Sequence, residues 1–254
     1  MERISLASYS FHGLFSRGMI DAFGYLESLK YRYQLRYADI WNGFFVEYGD
    51  EYLRKIREML DDKGLELASL CCDWAHPWDD DPEKRAQNAE LALKCLNAAE
   101  ILGAKTVRFD VGVRQETMTE EQYDVVVKAF AAYAKRGGDN GYVVGPENHW
   151  GASRKLSVQR ELFRRVNHPN YGMLLHFGNW LLEGDETLGG NDAAAAPLAA
   201  HTHVSYDYAT RATEVLPRIR EAGYHGVWGL EHHSGTDEYD KIGIHLGMIR
   251  LARC

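Results

Sequence analysis

Apolar, β-rich runs alternate with amphipathic stretches from one end of this chain to the other, which is the pattern of parallel strand-plus-helix units. The runs RISLASYSF (3–11), YADIW (37–41), ELASLCCDW (66–74), KTVRFDVG (105–112), YVVGPE (142–147), GMLLHF (172–177), HTHVSY (201–206) and GVWGLEHH (226–233) predict eight strands. Helices are predicted near 18–31, 50–63, 83–102, 119–136, 156–167, 212–222 and 238–252, with a further Ala-rich one near 192–200. Local signals set several helix ends. Asp81-Pro82-Glu83 places a capping carboxylate before a proline at the first helical position, and Gly103 follows Leu102 where a left-handed residue is wanted. Gly64, the pair Gly137-Gly138, and Gly223 are expected to close other helices in the same way. With 254 residues, the chain has the usual length of one eight-stranded barrel, so the predicted fold is a single α/β (β/α)8 TIM barrel, one domain over 1–254.

Four acid or imidazole residues stand at the ends of the last four predicted strands: Glu147, His176, His203 and Glu231. They recur about every 28 residues, the length of one strand-plus-helix unit. Side chains at the C-terminal ends of consecutive parallel strands point into a common mouth, and two carboxylates with two imidazoles there make a ligand set for one divalent metal. His201 lies two residues before His203 and so shares its face, as a substrate contact or a support for a ligand. His233 stands in the same relation to Glu231.

Composition narrows the partners. A formal net charge of −8 opposes binding to a nucleic acid, which needs clustered Lys and Arg. No stretch approaches the roughly 18 apolar residues of a membrane span, and the opening MERISLASYSF lacks the basic segment and apolar core of a secretion signal, so a cytoplasmic protein is expected. The cysteines at 71, 72, 95 and 254 follow no metal-finger or disulfide pattern, and reduced thiols are expected, with the adjacent Cys71-Cys72 pair packing on opposite faces of a strand.

A mixed carboxylate and imidazole site suits Mn²⁺, Co²⁺, Fe²⁺ or Zn²⁺ better than Ca²⁺; Mn²⁺ is the first choice, and Mg²⁺ belongs to the same range. Such a cation can hold two adjacent sugar oxygens and stabilise the enediolate left when a proton departs beside a carbonyl. Glu147 and Glu231 are then within reach to move protons. The loop after the third strand carries Trp74, His76 and Trp78, indoles and an imidazole suited to the face of a sugar ring, although a loop packing its own aromatics gives the same sequence. Tyr9, Phe11 and His12 end the first strand, and Arg108 and Asp110 the fourth; His12 and Arg108 join the expected substrate contacts.

The motifs GPENHWG, LLHFGNW, HTHVSYD and GLEHH together resemble the xylose isomerase-like TIM-barrel superfamily, which includes sugar isomerases, ketose 3-epimerases, dehydratases and endonucleases. The resemblance implies a metal held by Glu147, the residue at 176, His203 and Glu231. This chain has His176 where the epimerases usually have Asp, and Asn179 where they often have a substrate-contacting His. His149 of ENHW adds a further base beside the metal, a feature similar to the barrel subunits of enzymes that cleave C-glycosides after oxidation to a 3-keto sugar. The endonuclease branch is set aside, because it resembles a trinuclear zinc enzyme and this acidic chain supplies ligands for one metal.

The expected function is therefore a metal-dependent isomerase or epimerase of carbohydrate metabolism that enolises a keto or aldo sugar, with Glu147, Glu231 and His149 as catalytic groups. The alternative is a lyase or dehydratase on a 3-keto sugar or keto-glycoside using the same site. A non-catalytic barrel that has lost its sixth-strand Asp is the remaining reading. A small sugar is the expected partner, with a homo-oligomer or a hetero-subunit role left open.

Overall fold

Residues 3–181 and 189–252 are described by the computed structural model of the protein. Its strands are β1 (Ile4–Ala7), β2 (Tyr37–Trp41), β3 (Glu66–Cys72), β4 (Thr106–Phe109), β5 (Val143–Gly145), β6 (Met173–His176), β7 (Ala199–Val204) and β8 (Trp228–Leu230). All adjacent pairs are parallel, in the order β5-β4-β3-β2-β1-β8-β7-β6. The two ends of that order meet. Val144 bridges to Tyr171 and Glu147 to Leu174 in parallel, and the Leu174 amide donates to the Pro146 carbonyl at 2.8 Å. Gly145 makes this approach possible, since a Cβ there would lie 2.2 Å from the Gly172 carbonyl oxygen. The predicted TIM barrel is the observed fold.

Side chains alternate along each strand, so one set faces the helices and the other the barrel axis. The outward set is apolar: Ile4, Leu6, Ala38, Ile40, Leu70, Val107, Phe109, Leu175, Val204 and Leu230 are all buried in the main hydrophobic core. The inward set is polar and small. Ser5, Asp39, Ser69, Arg108, Glu147, His201 and His203 are buried as well, and this polar interior is what the barrel offers for chemistry.

The helices that cover the outward face are α1 (Ala22–Glu27), α2 (Asp50–Lys63), α3 (Pro82–Leu102), α4 (Glu120–Asn140), α5 (Leu156–Val166), α6 (Gly190–Ala195), α7 (Ala212–Glu221) and α8 (Glu238–Leu251). On α2, Leu53, Ile56 and Leu60 recur at helical spacing and are buried. The Asp81 carboxylate caps α3 by accepting from the Glu83 amide at 2.9 Å, and Gly103 ends it with φ of 71°. The predicted end of α4 at Gly137-Gly138 is corrected. The helix runs on to Asn140 and closes at Gly141, with φ of 83°. Gly137 serves close packing instead: a Cβ there would stand 2.6 Å from the Tyr142 carbonyl oxygen. The Ala-rich helix expected near 192–200 is shorter, because β7 already begins at Ala199. No helix among the described residues is long and apolar enough to cross a membrane.

Candidate metal and substrate site

The C-terminal ends of the strands bring the four spaced residues together. One ligand atom from each of Glu147, His176, His203 and Glu231 lies within 4.8 Å of the other three. The His176 Nδ1 is 3.0 Å from Glu147 Oε1 and 3.6 Å from Glu231 Oε2. The His203 Nδ1 is 3.7 Å and 3.3 Å from the same two oxygens. Two donors each about 2.1 Å from one ion stand about 3.0 Å apart at a right angle and about 3.4 Å apart at the tetrahedral angle, so these spacings suit a shared divalent cation. The Nδ1 of His203 is buried without a hydrogen-bond partner, which fits a nitrogen that could serve as a metal ligand.

Backbone pairing sets this geometry. His203 is in register with His176 on β6 and with Gly229 on β8. The Asn148 side chain acts as an extra strand position, accepting from the His176 amide at 2.7 Å and donating to the His176 carbonyl at 2.8 Å. That clamp fixes Glu147, one residue earlier, beside His176. Asn179, expected at the substrate, instead donates to the Asn148 and His149 carbonyls, both at 2.7 Å, and so holds the same loop.

A layer of carboxylates surrounds the four residues. Asp39 Oδ2 accepts from His203 Nε2 at 3.0 Å and from His201 Nε2 at 2.8 Å, which leaves the His203 Nδ1 facing Glu147 and Glu231. His201 thus lies beneath the site, buried against Asp39 and Ser5, rather than on the cavity wall. Burial opposes charge on Asp39, yet the two imidazoles outweigh it and hold its carboxyl below the usual range. Burial likewise disfavours a charged His203, but Glu231 and Asp39 outweigh it and raise its pKa well above the ordinary value. Burial raises and Arg108 lowers the Glu147 carboxyl, with Arg108 prevailing, and His203 does the same for Glu231.

Arg108 is buried among three acids. Its Nη1 donates to Asp73 Oδ1 at 2.6 Å and to Asp110 Oδ2 at 3.3 Å, and its Nε faces Glu147 Oε2 at 3.0 Å. Asp110 also bonds His149 Nδ1 at 3.1 Å. Burial depresses His149, but Glu147 and Asp110 more than offset it and lift its pKa to about 9. His233 reaches Glu231 Oε2 at 2.9 Å, and that contact raises its pKa against the effect of burial.

Two cavities open above this layer. The inner one, about 210 Å³, is lined by Tyr9, Asp39, Trp41, Cys71, Arg108, Glu147, His203, Glu231 and His233, among others. The outer one, wider at about 510 Å³, is lined by Trp74, His76, Asp110, Arg114, Trp150 and Gly151. Asp73 and His149 line both. Trp74 and His76 therefore stand at the outer wall, whereas Trp78 is buried with Arg85 over its ring at 3.9 Å. His12 is stacked on Tyr9 with centroids 4.7 Å apart and does not line either cavity. Phe11 lies in the core. Cys71 faces the inner cavity and Cys72 the core, as neighbours on a strand should; Cys254 falls outside the described residues.

Sequence reasoning passed over Asp39, Trp41 and Asp73. Asp39 carried a usable signal: a carboxylate between Ala38 and Ile40 in an apolar strand is a buried charge that demands partners.

The sequence matches the model of a family described as a xylose isomerase-like TIM barrel over residues 28–250. No curated protein matches it. Among solved structures, D-allulose 3-epimerase from Methylomonas sp. is similar over 99% of this chain and 98% of its own, with a TM-score of 0.79 at 16% identity. The apo form of 3-keto-D-glucoside 4-epimerase from E. coli is similar over 99% and 100%, with a TM-score of 0.77 at 12% identity. A protein described as a probable 3-DHS dehydratase from Bacillus anthracis is similar over 98% and 99%, with a TM-score of 0.72 at 16% identity. At these identities the likeness is one of fold.

Proposed function

The chain belongs to the xylose isomerase-like TIM-barrel family, and from that premise we propose that it is a divalent-metal-dependent enzyme that enolises a carbonyl sugar, as an isomerase or epimerase. The observation that carries this reading is the convergence of Glu147, His176, His203 and Glu231 at spacings that suit one cation, with the buried Nδ1 of His203 otherwise unpartnered. When bound, a divalent ion would supply the positive charge that stabilises an enediolate. Mn²⁺ is the ion we favour, on the two carboxylates of the set, with the imidazoles drawing the site toward Co²⁺ and Zn²⁺.

The protein groups divide the remaining work. Glu147 has one oxygen toward His176 and the other against Arg108, so its main task is to hold the cation, with any proton transfer limited by the guanidinium charge. Glu231, hydrogen-bonded to His233 at the cavity wall, is the better placed carboxylate for taking a proton from carbon. His149, exposed to both cavities and tied to Asp110, is the partner that returns a proton from the other side. Relatives of the same fold that are named as sugar epimerases support this choice of chemistry.

The outer cavity favours a second reading, elimination from a keto-glycoside. The inner cavity suits one sugar ring, and the indoles of Trp74 and Trp150 beyond it offer flat apolar faces to a further ring. Trp74 is 58% exposed and holds a left-handed backbone with φ of 59°, which keeps its indole at the rim. Both readings begin with removal of the same proton.

The test begins with metal content of the wild type beside Glu147→Ala and His203→Ala, followed by proton NMR of keto sugars and keto-glycosides incubated in D₂O. Deuterium at the carbon beside the carbonyl, lost in both variants, supports enolisation. A mass-neutral product then supports isomerisation, and release of water or an aglycone supports elimination. Protein that binds no Mn²⁺, Co²⁺ or Zn²⁺ overturns the proposal and leaves a binding role for the barrel.

A further inference from the structure

Next to the four-residue site, Asp110, Glu147 and His149 form a second group whose ligand atoms lie within 4.8 Å of one another. Glu147 belongs to both groups; its Oε1 faces His176 and its Oε2 faces Arg108. A carboxylate shared in this way is the bridging ligand of a two-metal centre, in which the ions sit about 3.5–4 Å apart. The place of the second ion is taken. The Arg108 side chain stands there, 6% exposed, with Nε 3.0 Å from Glu147 Oε2 and Nη1 3.3 Å from Asp110 Oδ2. Neither Arg108 Nε nor Glu147 Oε2 has an aligned hydrogen bond, so the guanidinium meets this oxygen as a charge rather than as a directed donor. Asp73, at 2.6 Å, anchors it from the far side.

We propose that Arg108 is a built-in cation that fills the second position of a latent two-metal site and so holds the centre to a single divalent ion. The guanidinium is permanently charged and carries its own tether; it neutralises Asp110 and the outer oxygen of Glu147, but it has no coordination position at which a water could be activated as a nucleophile. Chemistry at this mouth is thereby confined to the inner ion, which suits proton transfer at carbon and disfavours the in-line displacements that two-metal centres promote. The proposal rests on the metal-centre reading above.

Titration of metal-free protein with Co²⁺ alone, followed by visible absorption and elemental analysis, tests it. Wild type should take up one ion per chain. Arg108→Met should take up two, the second lost again when Asp110→Ala is added, while Arg108→Lys, which keeps a charge, should stay at one. Because Arg108→Met strands three acids, the double variant Arg108→Met with Asp73→Asn is made in parallel; it keeps all three latent ligands with less repulsion. Two ions in either folded variant support the proposal. One ion in wild type and in both variants overturns it while leaving the metal centre intact. No ion in wild type overturns the metal centre and the proposal together. Failure of both variants to fold even with excess Co²⁺ also overturns it, since an ion would then be no substitute for the guanidinium.

Discussion

His203 donates from Nε2 to Asp39 Oδ2 at 3.0 Å while its Nδ1 turns to Glu147 and Glu231. Asp39 thus fixes both the tautomer and the ring plane of the residue expected to ligate the metal, and it does so from a position with no solvent exposure. Outer carboxylates of this kind typically contribute about 10- to 100-fold to metal affinity. Asp39→Asn, similar in shape but uncharged, is expected to weaken Co²⁺ or Mn²⁺ binding by that order with circular dichroism unchanged. Unaltered affinity would show that the ring is held by packing alone.

A glycine makes room for these rings. At Gly229 a Cβ would lie 2.1 Å from the Thr202 carbonyl oxygen, 2.9 Å from His201 Nε2 and 3.1 Å from the His203 Cδ2. The carbonyl belongs to the paired strand β7 and cannot swing away, so Gly229→Ala must part β7 from β8 or displace both imidazoles. Overpacking of this sort costs about 1–3 kcal/mol. We expect a lower denaturation midpoint together with weaker metal binding, read by urea melts and Co²⁺ titration of the same preparation. A variant with wild-type values of both would mean that the barrel adjusts at no cost here.

Much of this arrangement could be read from the sequence. Asn42-Gly43 after an apolar run placed the end of β2 at Trp41, and the four spaced acid and imidazole residues converge because strand ends in a parallel barrel must. What the sequence hid was the role of residues whose partners are distant in the chain. Asn179 reads as a substrate residue only through the family resemblance, yet it serves the backbone of the preceding loop. Arg108 reads as a substrate contact, and it does line the inner cavity, but nothing in the sequence signals that its Nη1 is held by Asp73 and Asp110, 35 and 2 residues away. Gly137-Gly138 looked like a helix end because glycine punctuation has two causes, and only three-dimensional contact with Tyr142 distinguishes close packing from a left-handed turn.

The acid sensitivity of the fold should come partly from His245 on α8. Its ring is buried against those of Tyr206 and His232, at centroid distances of 5.6 Å and 5.8 Å. Burial, reinforced by His232, lowers its pKa to about 3. The folded protein therefore keeps this imidazole neutral while the unfolded chain protonates it below about pH 6.5. Stability is unaffected above that pH, falls as the pH drops through it, and goes on falling until about pH 3, where the folded form also takes the proton. At pH 5 the loss is about 2 kcal/mol from this residue. His245→Leu should flatten the dependence, so that urea midpoints at pH 7 and pH 5 draw together. An equal pH dependence in the variant would place the acid sensitivity elsewhere.

Among the four proposed ligands, His176 departs most in its chemistry from the pattern of the epimerases that this chain resembles, and the structure gives that departure a measurable consequence. Its Nδ1 lies 3.0 Å from Glu147 and 3.6 Å from Glu231, a position from which nitrogen can donate to a cation, while the register of β6 against β7 keeps it opposite His203. A neutral imidazole in place of a carboxylate removes one negative charge from the ligand set and adds a softer donor, which favours Zn²⁺ and Co²⁺ relative to Mn²⁺ and Mg²⁺. His176→Asp is therefore expected to keep one ion per chain and to shift the preference toward Mn²⁺, seen as a fall in the ratio of Zn²⁺ to Mn²⁺ affinity in competition titrations. If the variant gains a metal that the wild type does not bind, His176 marks a lost ligand and the barrel is a non-catalytic relative. If both bind one ion with the same selectivity, position 176 does not reach the cation, and Glu147, His203 and Glu231 hold it alone.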